Sequence, residues 1–227
     1  LSYSLGAGAR IYGSYTEGFE NGGSPPSTAL NFGEVFPSLS SKQKELGIKT
    51  QQSNWNASLA VYRIDQGAGY VNNANFYVQD GDTRYQGVEV NASWRPFTGL
   101  SLGGSARYQT AKFRNTAPAT AGKNVPGTPR TQAAIYGSYF LPNLPGLNLN
   151  AQVRYTGAGY VLPNNLLKLP SATTLDIGAG YRFEVDKHVI AIRGAIKNMT
   201  NETYWNVSSS LNAGDPRTYQ LTLEFIY

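Results

Sequence analysis

The sequence predicts an all-β fold, a transmembrane antiparallel β-barrel with ten strands, either the last ten of a larger barrel or a closed ten-stranded one. Three observations predict it. Amphipathic stretches with a period of two recur along the chain, the clearest running from Thr218 to Tyr227. There Tyr219, Leu221, Leu223, Phe225 and Tyr227 share one face, while Thr218, Gln220, Thr222, Glu224 and Ile226 share the other. Only a β-strand divides residues that way. Short and long connections alternate between the stretches. Apolar faces often end in Tyr, Trp or Phe, as the aromatic girdles of an outer-membrane barrel do.

The ten segments are residues 8–17, 43–51, 54–64, 83–95, 99–110, 131–140, 147–156, 173–183, 188–198 and 217–227. In the third, Trp55, Ala57, Leu59 and Val61 oppose Asn54, Asn56, Ser58 and Ala60. In the fourth, Val88, Val90, Ala92 and Trp94 oppose Gly87, Glu89, Asn91 and Ser93. In the seventh, Leu147, Leu149, Ala151, Val153 and Tyr155 oppose Asn148, Asn150, Gln152 and Arg154. The eighth sets Leu175, Ile177, Ala179, Tyr181 and Phe183 against Asp176, Gly178, Gly180 and Arg182. The ninth sets Ile190, Ile192, Gly194 and Ile196 against Arg193, Ala195 and Lys197. The sixth is undecided, with Ile135 and Tyr139 on one face and Tyr136 and Phe140 on the other. Arg63 falls on the apolar parity of the third, a position that suits a long stem reaching up to lipid head groups.

Tight connections are expected near Gln52 and Ser53, at Pro96-Phe97-Thr98, from Leu141 to Gly146 and from Glu184 to Lys187. Long ones are expected over 18–42, 65–82, 111–130, 157–172 and 199–216. Outer-membrane barrels turn briefly at the periplasmic rim and carry long loops outside. That rule places the C-terminus in the periplasm and makes the first segment run outward. Alternation alone does not separate this wall from a soluble sandwich or a lipocalin-like barrel, whose apolar face points inward.

Composition agrees and excludes several other classes. The 227 residues include 16 Tyr, 9 Phe and 25 Gly, and mean hydropathy is −0.35. No apolar run is long enough for a transmembrane helix, but a barrel strand needs only about 9–11 residues, half of them polar. There is no Cys, hence no disulfide or thiolate site. The net charge of +5 is spread without a basic block, so no nucleic-acid footprint is read. The single His, His188, lies beside a turn expected at the periplasmic rim, away from where a hydrolytic rim site would need it. No catalytic residue, cofactor site or metal-ligand cluster is read. Gly67-Ala68-Gly69-Tyr70-Val71 recurs as Gly157-Ala158-Gly159-Tyr160-Val161, read as strand tops where Gly relieves crowding beside Tyr. Because the sequence starts at Leu1, without Met or signal peptide, it is expected to be processed or a piece of something longer.

Several motifs, taken in order, carry a family resemblance. They are Ile11-Tyr12-Gly13-Ser14-Tyr15-Thr16-Glu17-Gly18-Phe19, then Ser41-Lys42-Gln43-Lys44-Glu45-Leu46-Gly47-Ile48-Lys49, Gly87-Val88-Glu89-Val90 and Leu169-Pro170-Ser171. The most specific is Ile196-Lys197-Asn198-Met199-Thr200-Asn201-Glu202-Thr203-Tyr204-Trp205, with Met199 where the resembled pattern usually has Leu, followed by Gly214-Asp215-Pro216-Arg217-Thr218. Together they resemble the C-terminal half of TonB-dependent siderophore receptors, whose barrels have about 22 strands and a plugged lumen. The resemblance implies one outer-membrane barrel domain over 1–227, with the plug domain and TonB box outside it. It covers either the last ten strands of a larger barrel or a shortened ten-stranded barrel acting as a small pore or structural protein.

The same resemblance implies the partners: outer-membrane lipid, a ferric siderophore, TonB acting through the plug, and the barrel assembly machinery. Gln220, Thr222, Phe225 and Tyr227 fit the family's C-terminal assembly signal, with Thr222 where Gly is common. Siderophore binding would fall to the long loops and lumen wall, where Tyr70, Phe76, Tyr77, Arg84, Tyr85, Tyr160 and Trp205 are the candidates. Each also has a plainer reading as interfacial anchor or loop packing. Lumen-facing Glu89, Arg107, Arg154, Asp176, Arg193 and Glu224 are expected to pair with one another or to touch a plug.

Overall fold

A computed structural model describes residues 1–207 and 210–226. Tyr227 of the assembly signal lies outside the described residues. The strands are β1 (Ser2–Gly6), β2 (Ala9–Glu20), β3 (Leu39–Gln51), β4 (Trp55–Val71), β5 (Tyr77–Trp94), β6 (Leu100–Arg114), β7 (Thr131–Phe140) and β8 (Leu147–Thr156). There follow β9 (Gly159–Tyr160), β10 (Lys168–Leu169), β11 (Ala172–Val185), β12 (His188–Lys197), β13 (Trp205–Val207), β14 (Leu211–Ala213) and β15 (Thr218–Ile226). The described residues contain no helix.

All ten expected strands are present in one sheet, and an eleventh joins them, giving the order β1-β2-β3-β4-β5-β6-β7-β8-β11-β12-β15. The extra strand is β1, five residues paired antiparallel with β2. Its brevity hid it: Tyr3 and Leu5 alternate with Ser2 and Ser4, too few positions to show a period. Every neighbouring pair is antiparallel. The sheet stays open, because β1 and β15 are its two edges. Two two-stranded ribbons, β9–β10 and β13–β14, sit in the long connections.

Register assigns the faces. Opposed residues share a face, so Ser14, Glu45, Tyr62, Gly87 and Gln109 form one row, and Gly13, Leu46, Val61, Val88 and Tyr108 the adjacent one. Followed across the sheet, one face is polar and the other apolar. The apolar face is bare: Ile135 is 69% exposed and Leu221 79%. Among the described residues only Ala29, Tyr77, Ala111 and Ala191 are buried hydrophobics, and none forms a core between layers. A soluble sheet would cover its apolar face; this one leaves it to lipid. The register also settles the sixth expected strand. In β7, Ile135 opposes Gly104 and Val153 on the apolar face, while Tyr136 opposes Gly103 and Gln152 on the polar one.

The connections alternate as expected, with one correction. The hairpin turn between β11 and β12 is only Asp186-Lys187, both at positive φ (50° and 70°), as a two-residue I′ turn requires. Gly146 closes the β7–β8 turn at φ 93°, where a Cβ would lie 2.0 Å from the Arg182 carbonyl oxygen. The expected long loop over 65–82 is mostly strand. β4 and β5 continue to Val71 and from Tyr77, leaving 72–76 as the connection. At about 3.3 Å per residue these strands exceed an apolar band about 25 Å tall even when tilted, so their tops project beyond it. Outside the hydrocarbon, polar-apolar alternation is not enforced, which is why it fades after Ile64.

Candidate functional site

The candidates divide between two faces and several loops. Tyr70, Phe76 and Tyr77 lie together at the β4–β5 tip. Tyr77 is buried, its ring edge-on to Phe36 at 5.0 Å. Its ring also fills the space that a side chain at Gly69 would take, a Cβ there lying 1.9 Å from the hydroxyl oxygen. Asn31 fastens this tip to the 21–38 connection: Asn31 Nδ2 donates to the Tyr77 carbonyl at 3.0 Å, and the Tyr77 N–H donates to Asn31 Oδ1 at 2.9 Å. Tyr77 is therefore placed as packing between loops, and Phe76 beside it remains 44% exposed. Tyr70 is half-buried; desolvation and a hydrogen bond to Asp80 push its phenol above the ordinary range.

Arg84 and Tyr85 point to opposite faces. Arg84 lies on the outward parity and donates to Asp65 at 2.5 Å. Tyr85 lies on the lumen face and lines a concavity of about 420 Å³ with Glu45, Tyr62, Glu89, Arg107 and Gln109. There the Tyr62 hydroxyl donates to buried Gln109 at 2.9 Å, the Tyr12 hydroxyl to Glu45 at 2.7 Å, and Arg107 to Gln132. Gly127, Thr128 and Pro129 from the β6–β7 connection form the other wall. Sequence reading named Glu89 and Arg107 here and missed Glu45, Tyr62, Gln109 and Gln132. Gln109 and Tyr62 fall on the polar parity of their strands, but only the three-dimensional fold brings the β6–β7 connection back over them.

The connections meet above this concavity. The Gly127 N–H donates to the Tyr160 carbonyl at 3.0 Å, and the Asn124 N–H donates to Asn165 Oδ1 at 2.7 Å. A Cβ on Gly127 would lie 2.6 Å from the Val207 carbonyl oxygen, so the β12–β15 connection touches the same point. Tyr160 is half-buried on β9, and Trp205 is 47% exposed on β13. The two Gly-Ala-Gly-Tyr-Val copies differ in role. Gly69 makes room for Tyr77, whereas a Cβ on its counterpart Gly159 would meet nothing nearer than Pro129 at 4.0 Å.

The lumen-face charges pair as expected in two cases. Arg154 reaches Asp176 at 2.7 Å and Arg193 reaches Glu224 at 2.6 Å. Gln220 and Thr222 face the lumen and line a cleft with Gly178 and Gly180, while Phe225 is 55% exposed on the apolar face. His188 opens β12 directly after the Asp186-Lys187 turn.

The Asn198 segment has a defined structural task. Asn198 is 3% exposed at φ 47°. Its Nδ2 donates to the carbonyls of Glu202 (2.8 Å) and Asp215 (3.0 Å), and its Oδ1 accepts the Glu202 N–H at 2.8 Å. Its own N–H donates to Asp176 at 2.8 Å, and Asn201 Oδ1 accepts the Arg217 N–H at 3.1 Å. Two asparagines thus clamp both ends of the connection between β12 and β15.

A family model described as the TonB dependent receptor-like β-barrel matches residues 1–199. The chain belongs to the TonB-dependent receptor β-barrel family. It is 31% identical over 224 residues to the ferrichrome receptor FcuA of Yersinia enterocolitica, covering 94% of this chain and 30% of that protein. It is 29% identical over 223 residues to the ferrioxamine B receptor of Salmonella typhimurium, covering 93% of this chain and 31% of the relative. Among solved structures, that of BauA, the ferric preacinetobactin receptor of Acinetobacter baumannii, superposes with a TM-score of 0.88 at 28% identity, over 100% of this chain and 35% of that one. The chain thus spans about a third of the length of the TonB-dependent receptors it matches. Membership places it in the bacterial outer membrane as part of a receptor barrel.

Proposed function

We propose that this chain is wall for a TonB-dependent receptor that imports a ferric siderophore, with its long connections outside the cell and its short turns and C-terminus in the periplasm. All 227 residues form one barrel segment in this reading. The observation that carries it is the division of the open sheet into a bare apolar face and a polar face roofed by its own loops. The relatives named for ferrichrome, ferrioxamine B and preacinetobactin support the substrate class.

The bare edges of β1 and β15 present unpaired N–H and C=O groups, each costing several kcal/mol in lipid, so further strands must complete the wall. The mixed-sign lumen face then seats a plug through which TonB acts, and the assembly machinery reads the β15 end. Phe76, Tyr70, Tyr160 and Trp205 offer aromatic surface to the siderophore at the loop end. Replacing these four by Ala in the complete receptor removes contacts worth about 0.5–1.5 kcal/mol each, so ferric-siderophore affinity falls by tenfold or more. Unchanged affinity in equilibrium titration would remove the basis of this assignment.

A further inference from the structure

The connection between β6 and β7 is held from both of its edges. Along one edge it extends the sheet. The Val125 N–H donates to the Ala111 carbonyl at 3.0 Å, the Phe113 N–H to the Lys123 carbonyl at 3.0 Å and the Gln109 N–H to the Arg130 carbonyl at 2.8 Å. Those bonds flank Asn124, which stands opposite Lys112 as the non-bonded pair of an antiparallel ladder. The N–H and C=O of Asn124 therefore point away from β6, to the edge where a further strand would lie.

The side chain of Asn165 takes that strand's place. Its Oδ1 accepts the Asn124 N–H at 2.7 Å and its Nδ2 donates to the Asn124 carbonyl at 2.8 Å, as a facing peptide group would. The Asn124 side-chain amide adds a contact to the same Oδ1 at 3.2 Å. Both asparagines are half-buried. Asn165 sits in the turn between β9 and β10 at φ 61°, its own N–H bonded to the Leu162 carbonyl at 3.0 Å. Further along the same edge, the Gly127 N–H donates to the Tyr160 carbonyl at 3.0 Å. Gly127 also lies against the carbonyl of Val207, in the short strand that Trp205 opens.

We infer that Asn165 is a positioning residue for siderophore binding: its amide fixes the 122–130 segment, and that segment fixes Tyr160 and Trp205. This role rests on the aromatic binding surface proposed above. Without the amide, Asn124 loses the partner of both its backbone groups and the segment samples other positions. Only receptors with the two aromatics in place then bind tightly, so apparent affinity falls with that fraction. The task needs a carboxamide on a backbone at positive φ. Asn165→Gly keeps that backbone conformation and removes the side chain, so its effect reports the amide and not the turn. Asn165→Asp keeps the acceptor but sets a second oxygen against the Asn124 carbonyl.

The test is equilibrium titration of the complete receptor with ferrichrome and with ferrioxamine B, for which relatives are named, beside amide hydrogen exchange and thermal unfolding. Asn165→Gly and Asn165→Asp should each weaken binding about fivefold or more at an unchanged unfolding midpoint, and should speed exchange at Asn124 and Gly127. Positioning also demands coupling. With Tyr160→Ala and Trp205→Ala already in place, Asn165→Gly should change affinity little; with Phe76→Ala, on the separate 72–76 connection, its full effect should persist. Faster exchange at unchanged affinity makes Asn165 a structural tie and overturns its positioning role. A full Asn165→Gly effect without Tyr160 and Trp205 overturns it as well. Failure of the binding surface itself reads differently: the replacement of all four aromatics then leaves affinity unchanged, or neither siderophore binds the wild-type receptor, and the role of Asn165 falls with it.

Discussion

The ring of Tyr12 occupies the space that a side chain at Gly47 would fill. A Cβ on Gly47 would lie 2.6 Å from the Tyr12 ring, and the two residues are opposed across β2 and β3. Seated there, Tyr12 donates to Glu45 at 2.7 Å and takes the Lys49 ammonium 5.5 Å from its ring centre. The glycine leaves room that the cross-strand aromatic fills. Gly47→Ala should therefore displace the ring and cost about 1–3 kcal/mol, as overpacking does. In a Tyr12→Ala background the same change should cost far less, a coupling that a double-mutant cycle of thermal unfolding reads directly.

Asn198 supports a second prediction. Its amide serves two carbonyls and one N–H inside a nearly closed pocket. Asn198→Ala strands these groups, at about 1–3 kcal/mol for each left unsatisfied. Asn198→Asp should be no better, since a carboxylate oxygen would face the Glu202 and Asp215 carbonyls. Both variants should speed proteolytic cleavage within 199–217 while leaving the barrel folded. An unchanged cleavage rate would show that the clamp at Asn201 suffices alone.

The strands were legible wherever the membrane imposes a period of two, as from Trp55 to Val61 and from Leu147 to Tyr155. They were hidden where that constraint ends. Asp65 to Val71 is strand, yet its glycines and polar residues read as loop, because neither face there is committed to lipid. The motif at Asn198 was recognisable as a pattern, but its reason, a side chain bonded to both ends of a loop, needed the fold. The candidate binding residues share one sequence feature: each is an aromatic or an arginine near a long connection. That criterion cannot separate Tyr77, which packs between loops, from Phe76, which stays exposed.

Tyr77 and Phe76 give the third prediction. Tyr77→Ala empties a buried space bordered by Gly23, Gly69 and Phe36, and should cost about 3–5 kcal/mol. Phe76→Ala should change stability by no more than about 0.5 kcal/mol. If Phe76 contacts the siderophore, its removal lowers affinity while the unfolding midpoint stays put. Calorimetry and titration of the complete receptor separate the two residues. Equal loss of stability in both variants would contradict the packing described for this tip.

The facing of β7 gives the fourth prediction, on neighbours with opposite fates. Ile135 and Tyr136 are both substantially exposed, 69% and 49%, so exposure alone does not tell them apart. Register does: Ile135 lies in a row with Gly104 and Val153, Tyr136 in one with Gly103 and Gln152. A lysine at a lipid-facing position near the midplane of a barrel costs about 2–4 kcal/mol, whereas a lumen position leaves the ammonium in water. Ile135→Lys should lower the unfolding midpoint in detergent-free bilayers, and Tyr136→Lys should lower it less, by no more than Tyr136→Ala, since only the ring that covers Gly103 is lost. The contrast should shrink in detergent, where micelles deform around the charge. Reversal of the two costs would mean that the polar face touches lipid, and with it the lumen concavity at Tyr62 and Gln109 would lose its meaning.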